Sequence, residues 1–121
     1  MAHILVVDDD PSVRTFTARA LSLDGHTILT ADDGDVALER LIEEQGQFDL
    51  VLSDIRMPAM DGIEMAKCAV KDFPDMRILL MTGYADQRER AADISKIVID
   101  VVSKPFSLVD IRSAVNSALV A

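Results

Sequence analysis

At four places in the chain, a polar residue capable of chemistry ends a short apolar run. Ile4-Leu5-Val6-Val7 leads into Asp8-Asp9-Asp10, and Leu50-Val51-Leu52 into Ser53-Asp54. Ile78-Leu79-Leu80-Met81 leads into Thr82, and residues 98–103 into Lys104. Two carboxylates about 4 Å apart repel by roughly 4 kcal/mol at an effective dielectric of about 20. A fold that gathers them loses stability or raises a pKa unless a cation intervenes. All-oxygen ligands that leave room for water and phosphate suit Mg2+ best. A carboxylate is also a nucleophile toward phosphorus. Asp54 is the better candidate for that role because it lies centrally, with Asp8 and Asp9 to one side to hold the metal. The Lys104 ammonium would pair with Asp54 and later with a phosphoryl oxygen, and the Thr82 hydroxyl would donate to the same group.

Each residue also has a plainer reading. The acids could be solvated loop residues or helix caps, and for Asp10, next to Pro11, the cap is the better reading. Lys104 could be a surface lysine, and Thr82 a routine strand end. The convergence of all of them favours a site for a hard cation and a phosphoryl group.

Runs this apolar predict strands buried on both faces, as in a parallel sheet covered by helices. In such sheets ligands bind outside the carboxyl ends of the strands, where the strand order reverses. Strand and helix patterns alternate five times along the chain. Pro11 opens a helix that carries Val13, Phe16, Thr17, Ala20 and Leu21 at helical spacing and stops at Asp24-Gly25. Thr27-Ile28-Leu29-Thr30 reads as a strand. A helix from Asp33-Gly34 to Gly46 is expected to turn Val36, Ala37, Leu41 and Ile42 inward. Met65, Ala66, Ala69, Val70 and Phe73 mark a third helix, from about Asp61 to Pro74, and residues 77–81 a fourth strand. Residues 85–94 read as a short, marginal helix. Pro105 fixes the turn after the fifth strand, with a cis Lys104-Pro105 bond plausible there. Ser107 with Asp110 reads as a capping box that opens a last helix through Ile111, Val115 and Leu119. The result is an α/β fold, a three-layer αβα sandwich of five βα units. The strand order 2-1-3-4-5 is favoured because it sets the ends of strands 1, 3, 4 and 5 side by side.

The chain has 121 residues, half of them apolar, and a formal charge of −9. That length suits one domain over residues 1–121. The acidic balance leaves no basic stripe and argues against nucleic acid as a partner. A lone Cys68 allows no internal disulfide. No secretory signal and no apolar run long enough for a bilayer are visible, so no membrane partner and a cytoplasmic location are expected.

Taken together these residues resemble the receiver domain of two-component response regulators. The resemblance runs from Ile4 through Asp8-Asp9-Asp10-Pro11 to Lys104-Pro105-Phe106, with Asp54 followed by Met57-Pro58 and Met60-Asp61-Gly62. It implies a five-stranded (βα)5 flavodoxin-like fold, and the order 2-1-3-4-5 is in part the family's own. It implies that Asp54 takes a phosphoryl group from a histidine kinase or histidine phosphotransfer protein, with Mg2+ bound by Asp9, Asp54 and the backbone carbonyl of Arg56. Asp8 would assist the metal through water, Thr82 would sense the phosphoryl group, and Lys104 would pair with it. Phosphorylation and dephosphorylation would be self-catalysed, in a switch rather than an enzyme, as a monomer or weak dimer. Arg56 and Tyr84 would flank the attacking water. One departure stands out: Val101 occupies a position, three before the lysine, where the family often carries an aromatic.

Segments 53–64, 81–85 and 101–106 bring the chain closer to a single-domain regulator of cell-cycle control in alphaproteobacteria. That resemblance implies an unphosphorylated form that primes the ClpXP protease through its ClpX unfoldase. With no output module in view, the signal is expected to leave through a binding surface. A phosphate sink or relay is a further reading within the family. A flavin-binding electron carrier would need a Ser/Thr/Gly-rich loop where the chain has three aspartates. A haloacid-dehalogenase-type phosphatase would need a general acid where Arg56 stands.

Overall fold

The computed structural model describes residues 2–83 and 97–121. The described elements are β1 (His3–Val7), α1 (Pro11–Ser22), β2 (Thr27–Ala31), α2 (Gly34–Glu43), β3 (Leu50–Asp54), α3 (Gly62–Asp72), β4 (Ile78–Thr82), β5 (Asp100–Ser103) and α4 (Leu108–Leu119). All strand pairs are parallel and the order is β2-β1-β3-β4-β5. The expected fold class and strand order both hold. The marginal helix read at 85–94 lies outside the described residues.

Period-two alternation splits the central strands between two cores. Ile4 and Val6 of β1, Leu50 and Leu52 of β3, and Leu79 and Met81 of β4 join Ala20, Leu21, Ile111 and Val115. Leu5, Val7, Val51, Ile78 and Leu80 face the other way, against Ala37, Leu41, Met65, Ala66 and Ala69. Helices α1 and α4 therefore cover one face, and α2 and α3 the other.

Burial on both faces holds for β1, β3 and β4 but not for the edges. β2 is mostly half-exposed, and β5 exposes Asp100 and Ser103 with Val101 and Val102 half-buried. Lys104 thus ends an edge strand, not a buried one. Two inward assignments also change. Ile42 is 66% exposed and Phe16 41% exposed. Each helix meets the sheet along a narrow stripe, Ala37 and Leu41 in α2 and Thr17, Ala20 and Leu21 in α1, and residues one step off that stripe point outward.

The helix starts follow capping chemistry. The Asp10 side chain accepts from the Ser12 and Val13 N–H groups, with Pro11 in the first turn. Asp33 and Asp61 cap α2 and α3, and Ser107 with Asp110 forms the expected capping box on α4. Pro105 follows a cis bond from Lys104. Leu119 is half-buried at the end of α4, and Ala121 O accepts from Arg77 Nη2 at 3.2 Å.

Candidate functional site

Register decides which strand ends meet. Val7 lies opposite Ser53, Asp54 opposite Met81, and Thr82 opposite Ser103. One residue further along, Asp8 falls beside Asp54 and Lys104 beside Gly83. These ends lie at the β1/β3 boundary, where the strand order reverses.

Asp8 is fully buried and bonded on every side. Its N–H donates to Ala31 O at 3.1 Å, and its carbonyl accepts from Arg14 Nη1 at 2.7 Å. Its Oδ1 accepts from the Asp10 N–H at 2.9 Å, and its Oδ2 from Lys104 Nζ at 2.9 Å. Asp54 is 7% exposed, and its Oδ1 accepts the Ile55 N–H at 3.0 Å and lies 3.3 Å from Lys104 Nζ. Lys104 therefore bridges the two buried acids. Asp9 is exposed at the rim, and one carboxylate oxygen from each of Asp8, Asp9 and Asp54 lies within 4.8 Å of the others. That set of hard anionic oxygens fits Mg2+. Asp10 is committed to its cap.

Burial pushes the Asp54 carboxyl up to about 6, against the pull of Lys104 and with added repulsion from Asp8 and Asp9. Burial alone would lower the Lys104 ammonium. The Asp8 hydrogen bond and the Asp54 charge outweigh it, and its pKa is raised. The lysine is therefore held as a cation.

Thr82 is buried at the end of β4, and its carbonyl accepts the Lys104 N–H at 2.8 Å, which fixes the lysine's starting point. Arg56 is exposed and lines the same cleft as Asp8, Asp9, Asp54 and Gly83. Tyr84 lies outside the described residues. Val101 is half-buried against the α2/α3 core.

Two residues have structural roles absent from the sequence analysis, where Gly62 stands only as part of the motif after Asp54. Gly62 packs so tightly that an added Cβ would stand 2.2 Å from Asp54 O, while its N–H donates to Ile55 O at 2.7 Å. A glycine directly after an N-capping aspartate is the signal, but it acquires meaning only once α3 is seen to abut β3. Arg14 is the other. A basic side chain one turn beyond a helix cap of acids was visible, but its reach back to Asp8 O was not.

The response regulator receiver domain model matches residues 4–116. With that match and this row of strand ends, the chain belongs to the response regulator receiver family, the signalling switches of two-component systems. Over its full length it is 39% identical to the response regulator receiver protein CpdR of Brucella abortus, covering 99% of that protein. Among solved structures, a receiver domain protein from Clostridium thermocellum superimposes with a TM-score of 0.89 at 27% identity, over 98% of this chain and 94% of that one. TrrA of Thermotoga maritima, in complex with Mg2+-BeF, superimposes with a TM-score of 0.86 at 34% identity, over 98% and 99%.

Proposed function

We propose that this chain is a phosphorylation-switched receiver whose phospho-acceptor is Asp54. The observation that carries this reading is the bridge from Lys104 to both buried acids, with Asp9 at the rim completing an oxygen set for a divalent cation. Mg2+ would be held by Asp9, Asp54 and the Arg56 carbonyl, with Asp8 assisting through water. Bound there, it supplies positive charge that offsets the carboxylates and the incoming phosphoryl oxygens.

The protein's own groups account for the rest. Asp54 Oδ1 is occupied by the Ile55 N–H and Lys104, so Oδ2 is the attacking atom. Its lone pair forms the new O–P bond as the P–N bond to a donor phosphohistidine breaks. The imidazole leaves with the bonding pair and takes up a proton from solvent. Lys104, already cationic, pairs with a phosphoryl oxygen, and the Thr82 hydroxyl donates to another. Catalysis here is positioning and charge neutralisation, in both phosphorylation and its reversal by water.

The donor is a histidine kinase or histidine phosphotransfer protein, and the output is a protein contact. Following the resemblance to CpdR, the unphosphorylated form binds the ClpX unfoldase and primes ClpXP. Incubation with Mg2+ and acetyl phosphate should add one phosphoryl group by intact mass, and Asp54→Ala should add none. Normal labelling of Asp54→Ala would falsify the acceptor assignment. For the output, purified ClpX should be retained by the unmodified protein and by Asp54→Ala, and released from the wild type on phosphorylation. Equal retention in all states removes the adaptor reading while leaving the acceptor intact.

A further inference from the structure

We propose that Arg14 is a positioning residue for the acid turn, and that it sets the affinity of the site for a divalent cation. The inference rests on the Mg2+ reading above. It starts from one residue closing a turn at both ends. The Arg14 N–H donates to Asp10 O at 2.9 Å, the first bond of α1, while its guanidinium reaches back to Asp8 O at 2.7 Å. Between those two carbonyls lies Asp9, the exposed acid, with no strand to hold it. Its neighbours are pinned: Asp8 N–H to Ala31 O, and Asp10 N–H to Asp8 Oδ1. Arg14 completes that frame from the helix side. With Asp8 held between Arg14 on its carbonyl and Lys104 on its carboxylate, the distance from Asp9 to Asp54 is set by α1 and not by a free loop.

The sign of the effect separates positioning from simple charge. A guanidinium acting only through space near a cation site opposes the incoming cation, and removing it should tighten binding. A guanidinium that orders the ligands should weaken binding when removed, as loss of outer partners does at other metal sites.

The experiment titrates MgCl2 alone into the chelator-treated wild type, Arg14→Gln and Arg14→Lys by calorimetry. Backbone amide exchange at Asp9 and Asp10 and urea unfolding are read on the same samples. We expect Arg14→Gln to bind Mg2+ roughly tenfold more weakly, with faster exchange at both amides. Arg14→Lys, which keeps the charge and a shorter donor, should recover part of the loss. Affinity equal to or tighter than wild type in Arg14→Gln overturns the proposal. Should Arg14→Gln fail to fold, Arg14→Lys decides alone: weaker binding with faster exchange supports it, and wild-type behaviour overturns it. A wild type that takes up no Mg2+ removes the underlying reading, and this inference with it.

Discussion

Asp54 is stored in its less comfortable state. Its carboxyl moves from 3.8 to about 6, first through burial, so the folded form holds the proton more tightly than the unfolded chain does. The resulting stability is fully present below pH 3.8 and lost as pH rises through 6. At about 1.4 kcal/mol per tenfold change in proton affinity, this costs the metal-free protein roughly 3 kcal/mol at neutral pH. Asp54→Asn, neutral and similar in shape, should therefore be the more stable protein at pH 7 in chelator, by roughly 1–3 kcal/mol. The gap should close near pH 4. Urea unfolding at the two pH values measures it, and a destabilised Asn variant at pH 7 would contradict the account. Lys104 works against this rise, so in Lys104→Ala the Asp54 carboxyl should titrate higher still, visible in carboxyl-carbon chemical shifts.

At the scale of elements, the β3–α3 connection has little slack. Gly62 brings the first turn of α3 against the Asp54 backbone, and any side chain there collides with a carbonyl that cannot move without moving β3. Gly62→Ala should cost roughly 1–3 kcal/mol and slow labelling of Asp54, because β3 must shift. Three residues earlier, Ala59 sits at φ 64°, a left-handed conformation that a Cβ disfavours. Ala59→Gly should relieve it and raise stability by roughly 0.5–1 kcal/mol, with wild-type labelling. A stabilised Gly62→Ala or a destabilised Ala59→Gly would contradict this description of the loop.

Across the whole molecule, α4 is tied to the turn that follows α1 by a bidentate pair between Arg112 and Asp24. The hydrogen bond from Arg112 holds the Asp24 carboxyl below its usual value, the opposite of Asp54. Its contribution is present above pH 3.8 and lost as pH falls through the folded value. Asp24→Asn should therefore be less stable than wild type at pH 7 and converge on it in acid, the mirror image of Asp54→Asn. Divalent cation links the site to the fold in the same way. Mg2+ that binds only the native state should stabilise it by mass action, by about 1.4 kcal/mol per tenfold excess over its dissociation constant, and so raise the thermal midpoint. Chelator should reverse the rise, and Asp9→Ala should blunt it. An Mg2+-independent midpoint would remove the cation from the site.

Local patterns in the sequence determined much of this protein. Alternating apolar runs marked the strands, aspartates and a serine marked the helix starts, and polar residues at strand ends marked the site, because each signal spans only a few residues. Strand order was legible partly through family resemblance, since pairing between distant strands leaves no local trace. What only the tertiary structure decided is which residues lost their expected burial and which gained a role. Phe16 and Ile42 fit helical spacing, yet they fall outside the narrow stripe that reaches the sheet. β5 looked like a buried strand, but among the described residues nothing pairs beyond it in the sheet order. Arg14 carries no signal stronger than its residue type, and Gly62 only its place after the Asp61 cap. Their roles arise because α3 and α1 approach the ends of β3 and β1 closely enough for a missing Cβ and a long guanidinium to matter, and that approach is set by packing between elements far apart in the chain.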